Sequence, residues 1–213
     1  MLLNAPPSQM LDAVIAYTIL ILLCFPIHEF GHAWVATRLG DTLALREGRV
    51  TLNPMAHIDP MGAIALAVMG FGWAKPVPFY PSNLRKAPSI SVGIILVSIA
   101  GITMNLLMAA IFALPLRFNL VQDLTILDIC YLIVRINLFL AVFNLIPIPP
   151  LDGSKILAEL LPYRYRYIFE WLERYGMLVL LALMLIPIPG IGNFISAIIT
   201  PIVDGLSGLM LGF

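Results

Sequence analysis

Long apolar stretches separated by short polar segments recur along this 213-residue chain. A helix needs about 20 mostly apolar residues to cross the hydrocarbon core of a bilayer. The stretches that reach or approach this length are residues 11–37, 90–116, 129–147, 171–186 and 191–210. Only 11% of the residues are charged, whereas a soluble domain carries about 25%. We therefore expect an all-α polytopic membrane protein with four or five transmembrane helices.

A shorter apolar run at residues 61–73 has a length more typical of re-entrant segments than of spans. If this run does not cross the membrane, ten of the twelve basic residues lie on one side. The positive-inside rule makes that side cytoplasmic. If the run crosses, the basic residues divide between the two sides. We therefore predict a re-entrant segment and an N-terminus outside.

The connection between the first two spans contains two non-helical patterns. The sequence TLALREGRVTLN alternates apolar and polar residues around Glu47-Gly48, which predicts a short β-hairpin. Three prolines then keep the chain extended: Pro76, Pro78 and Pro81. Non-helical backbone at membrane depth is tolerated only where it is buried in protein or lines a watery cavity. We therefore expect the chain to enclose a polar cavity.

The first span ends with an H-E-x-x-H motif, from His28 to His32. Residues i and i+4 share one face of a helix, so both imidazoles can reach one metal ion. Glu29 follows the first histidine, where a carboxylate can take a proton from metal-bound water. The motif arises by chance in long proteins. Ionisable side chains inside a membrane span are costly, however, and this favours a functional interpretation.

Catalytic zinc normally has three protein ligands, and the best candidate for the third is Asp152. The three prolines that precede it cannot continue a helix: Pro147, Pro149 and Pro150. Gly153 permits a close backbone approach. The alternative is that Asp152 only caps a helix beginning at Ser154. The two histidines make the ligand interpretation the better one.

Further motifs follow in a specific order. LNPMAHIDPMG and GWAKPVPF come after the first span, SIAGITMN lies in the second and NLIPIPPLDG in the third. With HEFGH, they cover roughly residues 25–160, and the chain resembles the site-2 protease family of intramembrane metalloproteases. It is most similar to the compact subgroup without PDZ or CBS domains, since no such insert is present. The family's A-G-P-x-x-N motif has Ile102 in place of proline here, which changes a local bend and no catalytic group.

The resemblance implies one catalytic Zn²⁺, with His28, His32 and Asp152 as ligands and Glu29 as the catalytic glutamate. It also implies that Asn144 holds the substrate backbone near the metal. The alternative for Asn144 is an interhelical hydrogen bond.

Two further positions are open. Asn105 matches the asparagine of the second-span motif, and it either lines the site or is purely structural. His57 either lines the mouth of the site, gates the metal or binds a second ion, or it is a satisfied structural histidine.

We therefore expect a single membrane-embedded domain over residues 1–213, with a catalytic core at about 10–160 and further helices at about 165–211. The resemblance implies an intramembrane zinc metalloendopeptidase that cleaves transmembrane segments of regulators or leader peptides. We expect it in the prokaryotic cell (inner) membrane, with its active site opening toward the cytoplasm. The alternatives are a zinc-binding transporter and an inactive scaffold. The formal net charge of zero makes nucleic acid an unsuitable partner.

Overall fold

The computed structural model describes residues 7–69, 72–188 and 192–212, which are mostly helical. The helices are α1 Pro7–Ile19, α2 Phe25–Arg38, α3 Leu43–Arg46, α4 Pro60–Met69, α5 Ile90–Arg117, α6 Leu124–Asn144, α7 Asp152–Leu160, α8 Arg166–Leu185 and α9 Phe194–Leu211. A π-helical turn, Leu20–Cys24, joins α1 to α2 without a break. Two short strands, β1 Pro187–Ile188 and β2 Gly192–Asn193, pair antiparallel.

Three helices among the described residues are long and apolar enough to cross a membrane. They are Val14–Arg38, which runs from α1 through α2, then Ile90–Arg117 and Leu124–Asn144. The prediction of an α-helical membrane protein is confirmed. The two remaining predicted spans correspond to α8 and α9, but the apolar part of α9 is the shorter helix Ala197–Leu211. Residue 191, where the last predicted stretch began, lies outside the described residues.

The predicted β-hairpin in TLALREGRVTLN is wrong. Residues Leu43–Arg46 form the one-turn helix α3, because alanine, leucine and arginine are strong helix formers and the alternating pattern is short. The side chain of Asp41 fixes the start of this turn, since its Oδ1 accepts a hydrogen bond from Leu43 N at 3.0 Å. Arg49 N then donates to Ala44 O at 2.8 Å and closes the loop.

The two ends of the apolar run at 61–73 lie side by side. Ile58 and Ala74 form an isolated antiparallel bridge, and Lys75 N donates to His57 O at 2.8 Å. Gly62 is so close to the returning chain that a Cβ there would lie 2.1 Å from Trp73 O. Helix α4 and the extended residues 72–75 thus lie beside each other, and residues 70 and 71 between them lie outside the described residues.

Helix α5 packs against both α2 and α6, which places it at the centre of the fold. The largest group of buried apolar side chains joins α5, α6, α8 and α9 and includes Val134, Leu138, Leu180 and Ile199. The guanidinium of Arg117 at the end of α5 donates to the carbonyl oxygens of Leu209 and Met210, at 3.0 and 3.2 Å. The carboxyl ends of α5 and α9 therefore lie together.

Candidate metal centre

The H-E-x-x-H motif lies in the middle of α2, where all three ionisable side chains are buried: His28, Glu29 and His32. The helical spacing brings the imidazoles onto one face, and their Nε2 atoms lie 3.0 Å apart. The π-helical turn Leu20–Cys24 ends four residues before His28. Such turns inside α-helices are frequent at functional sites.

Asp152 lies 120 residues after His32 in the sequence, and its carboxylate lies beside the two imidazoles. After α6 ends, the proline-rich segment redirects the backbone, and Asp152 becomes the first residue of α7. Its Oδ2 lies 3.3 Å from Nε2 of His28 and 3.0 Å from Nε2 of His32. The residue that caps α7 is Leu151, so the capping alternative for Asp152 is wrong.

Gly153 explains how the chain turns so tightly after α6. A Cβ at this position would lie 2.2 Å from Leu145 O and 2.7 Å from Ile146 O. Any side chain would therefore push the start of α7 away from the end of α6. The glycine keeps the carboxylate of Asp152 within reach of α2.

The three side chains fit a zinc site. Their ligand atoms all lie within 4.8 Å of one another, and all three residues are buried. Ligand atoms about 2.0–2.1 Å from a tetrahedral zinc ion are roughly 3.3 Å from each other, close to the spacings found here. Two imidazoles and one carboxylate are also a donor set that catalytic zinc uses.

Contacts from α5 orient one of the imidazoles. Nδ1 of His32 lies 2.7 Å from Val97 O, and since a carbonyl only accepts, Nδ1 carries the proton and donates. That tautomer leaves a lone pair on Nε2 for a metal ion. Gly101, one turn further along α5, leaves the space that both imidazole rings occupy.

A cavity of about 410 Å³ opens beside these side chains. Most of its lining is apolar, and its polar lining residues are His28, Glu29, His32, Asp59, Ser98, Asn144, Asp152 and Lys155. Asn144 thus lies at the cavity, and its role in substrate binding stays a prediction. Its Nδ2 donates to Leu140 O at 3.0 Å, within its own helix.

Asn105 and His57 are not among the described residues that line this cavity. Asn105 is fully buried in α5. His57 is also buried, and its Nε2 donates to Thr51 O at 2.8 Å. Burial lowers the pKa of His57, and the nearby charge of Arg49 lowers it further, against the opposing effect of the Thr51 hydrogen bond. Nδ1 of His57 is buried with no hydrogen-bond partner among the described residues, so only one of the two ring nitrogens is satisfied and both interpretations of His57 stay open.

Arg49 is a buried cation that the sequence did not single out. Its guanidinium donates to Pro76 O at 3.1 Å and to Lys75 O. Burial lowers the pKa of Arg49, while the negative charge of Glu29 opposes this shift. Arg49 thus fixes the extended segment that borders the cavity through Ala74, Pro76 and Val77.

The structure adds three other residues that the sequence reasoning missed. Val97 and Gly101 act on the histidines from α5, and Lys155 contacts Asp152 within α7. Only Lys155 had a local signal, since it lies three residues after Asp152 on the same helix face. The contacts of Val97 and Gly101 depend on how α5 packs against α2.

The similar proteins with known names are all described as zinc metalloproteases. The chain is 40% identical over 178 residues to "Putative zinc metalloprotease YwhC" of Bacillus subtilis (strain 168), with 80% of each protein covered. It is 29% identical over 183 residues to "Putative zinc metalloprotease Rip2" of Mycolicibacterium smegmatis and 30% identical over 179 residues to the protein of that name in Mycobacterium tuberculosis (strain H37Rv). In both cases 79% of this chain aligns with 65% of the relative.

The sequence profile described as "Peptidase family M50" matches residues 119–187. The matched region contains Asn144 and Asp152, and the H-E-x-x-H motif lies before it. No solved structure matches the chain significantly. The profile match and the 40% identity to YwhC over four fifths of both chains show that this chain belongs to peptidase family M50.

Proposed function

We propose that this protein is an intramembrane zinc metalloendopeptidase that hydrolyses peptide bonds within or near the transmembrane segments of other membrane proteins. The observation that carries the proposal is that the buried side chains of His28, His32 and Asp152 meet beside Glu29, at a cavity of an apolar helical protein. Family membership and the zinc metalloprotease relatives support the same activity.

His28, His32 and Asp152 would hold the one zinc ion of the proposed site. When bound, the ion would supply the chemistry of a Lewis acid: it would lower the pKa of a water to about 7 and polarise a substrate carbonyl. Glu29 takes the proton of the attacking water and delivers it to the departing amide nitrogen. The hydrogen bond from His32 Nδ1 to Val97 O keeps that ring in the required tautomer.

The substrate is proposed to bind in an unwound form, because a helical backbone shields its peptide bonds. Asn144 lies at the cavity with its Nδ2 already bonded to Leu140 O, so its Oδ1 is suited to accept a hydrogen bond from a substrate N–H. The extended segment at residues 74–80 borders the same cavity. An extended substrate segment can add to such an edge through backbone hydrogen bonds.

The proposed topology places the N-terminus outside and four helices across the membrane. The first three are Val14–Arg38, Ile90–Arg117 and Leu124–Asn144, and α9 is the fourth. The contacts of Arg117 support this arrangement, since they put the carboxyl ends of α5 and α9 on one side. Helix α8 then stays on the cytoplasmic side, and α4 is re-entrant.

This topology opens the cavity toward the cytoplasm of a prokaryotic cell, in the cell (inner) membrane. The positive-inside rule supports the orientation, and the relatives come from Bacillus, Mycolicibacterium and Mycobacterium. The proposed substrates are membrane-spanning regulators or leader peptides.

Two alternatives share the metal site but not the chemistry. A zinc transporter would use the same ligands without needing Glu29, and the sequence lacks the repeated halves common in transporters. An inactive scaffold would keep the fold and lose cleavage. Both alternatives predict that replacing Glu29 by a neutral residue does not change the function of the protein.

The test measures zinc per chain and cleavage of a panel of single-span helices, in the wild-type protein, E29Q and D152A. We expect about one zinc per chain and cleavage in the wild type, zinc without cleavage in E29Q, and loss of both in D152A. The E47Q variant is the matched control, because Glu47 is exposed in the loop after α3. A folded wild-type protein that takes up no zinc overturns the proposal, as does undiminished cleavage by E29Q.

A further inference from the structure

Lys155 contacts the carboxylate that the proposed function assigns to the metal. Its Nζ lies 3.1 Å from Oδ1 of Asp152. The other oxygen, Oδ2, faces the Nε2 atoms of His28 and His32 at 3.3 and 3.0 Å. The two carboxylate oxygens therefore have different partners, an ammonium group on one side and a pair of imidazoles on the other.

An i, i+3 pair with Asp152 stabilises α7 only slightly, and the helix dipole acts against a lysine at this position. Lys155 lies in the first turn of α7, where the helix dipole disfavours a positive charge. Its side chain is 45% exposed, so water could solvate the ammonium group without help from Asp152. The lysine nevertheless turns toward a buried carboxylate at the edge of the catalytic cavity.

The contact with Lys155 determines how many carboxylate oxygens of Asp152 can coordinate a metal ion. A carboxylate binds a cation through one oxygen or through both. With Oδ1 held by the ammonium group, only Oδ2 is available on the side of the histidines. Coordination through both oxygens would occupy the position that a catalytic zinc site keeps open for water or substrate.

We propose that Lys155 is a positioning residue that holds Oδ1 of Asp152, so that the metal ion receives Oδ2 alone. The inference rests on the metal site of the proposed function. Residues that hydrogen-bond to metal ligands orient them and tune the affinity of the site. Lys155 has this role for the carboxylate, as Val97 O has it for His32.

The test compares K155M, which keeps the length of the side chain and removes its charge, with K155R, which keeps a cationic donor. K86M is the matched control, because Lys86 is an exposed lysine in the connection before α5 and does not line the cavity. The zinc dissociation constant of each full-length protein is measured in detergent by competition with a chelator. The visible absorption of the cobalt(II)-substituted proteins reports coordination number independently of activity.

We expect the zinc dissociation constant of K155M to differ from that of the wild type by about 10–100-fold, the size of change that is usual when a partner of a metal ligand is removed. Its cobalt(II) absorption should weaken, because d–d bands lose intensity when four-coordinate cobalt becomes five-coordinate. K155R and K86M should resemble the wild type in both measurements.

A K155M protein with the zinc affinity and cobalt(II) spectrum of the wild type overturns the role of Lys155 and leaves the proposed protease intact. Loss of zinc in both K155M and K155R, together with reduced helix content, also overturns it, since a purely structural lysine would give that result. A wild-type protein that binds no zinc overturns the proposed metal site itself.

Discussion

Gly101 in α5 lies directly against the imidazole of His32 in α2. A Cβ at residue 101 would be 2.4 Å from Nε2 of His32 and 2.7 Å from Cε1 of His28. The two helices pack closely along this stretch, since a Cβ at Gly31 would likewise lie 2.9 Å from Ala100 O. Glycine at these two positions lets α5 approach the face of α2 that carries the histidines.

The G101A variant should therefore lose zinc affinity. The added methyl group overlaps two rigid rings, so either the rings leave their positions or α5 moves away from α2. Overpacking of this kind costs about 1–3 kcal/mol of unfolding free energy. Zinc content and the thermal unfolding midpoint of the purified protein check the prediction.

G205A is the matched control for G101A. Gly205 also lies within a helix, α9, but a Cβ added there would meet no heavy atom of another described element within 4 Å. Alanine has the higher helix propensity, by about 0.8–1.0 kcal/mol, so G205A should be neutral or slightly more stable. Wild-type zinc affinity in G101A would contradict the assigned role of Gly101.

The sequence predicted three side chains that the structure brings together, His28, His32 and Asp152, but not the contacts that orient them. The i, i+4 spacing of His28 and His32 predicts adjacent rings in any α-helix, and the structure has them. The partner of His32 is a backbone carbonyl, Val97 O, which lies 65 residues away in the chain. Every residue has such a carbonyl, so nothing in the local sequence marks this one.

The wrong prediction at residues 43–52 has a different physical cause. A short alternation of apolar and polar residues does not distinguish a strand from a turn of helix. The deciding contact comes from Asp41, whose carboxylate bonds Leu43 N and also Asn83 Nδ2, 42 residues away. Long-range hydrogen bonds of this type fix the conformation of the connection.

Arg49 should be required to hold the extended segment that borders the cavity. In R49M the carbonyl oxygens of Lys75 and Pro76 lose their charged donor, which costs about 1–3 kcal/mol for buried polar groups left without a partner. The extended segment should then open more often. Hydrogen exchange at Lys75 N, which is bonded to His57 O at 2.8 Å, should become faster, and the KM for a helical substrate should rise.

R46M is the comparison that isolates this effect. Arg46 is exposed at the end of α3, and its substitution removes the same charge from the same connection. We expect hydrogen exchange at Lys75 N and the KM of R46M to stay at wild-type values. Equal exchange rates in R49M and R46M would show that Arg49 does not hold the segment.

His57 should make the stability of the protein depend on pH. Burial lowers the pKa of the folded-state imidazole below its usual value, with Arg49 adding to the shift. A group whose folded-state pKa is lowered takes up a proton more readily in the unfolded state. For an imidazole, this contribution to stability is present above the unfolded-state pKa of about 6.5 and is lost as the pH falls through the lower folded-state pKa.

The H57Q variant separates His57 from the two histidines of the metal site. Glutamine keeps an N–H donor for Thr51 O, the partner of His57 Nε2, but does not titrate. With zinc in excess, the thermal unfolding midpoint of the wild type should fall more between about pH 7.5 and about pH 5.5 than that of H57Q, because only the wild type can protonate this position on unfolding. Parallel pH profiles would show that the burial of His57 does not oppose its protonation, and a wild type that gains stability relative to H57Q in acid would reverse the sign of the effect.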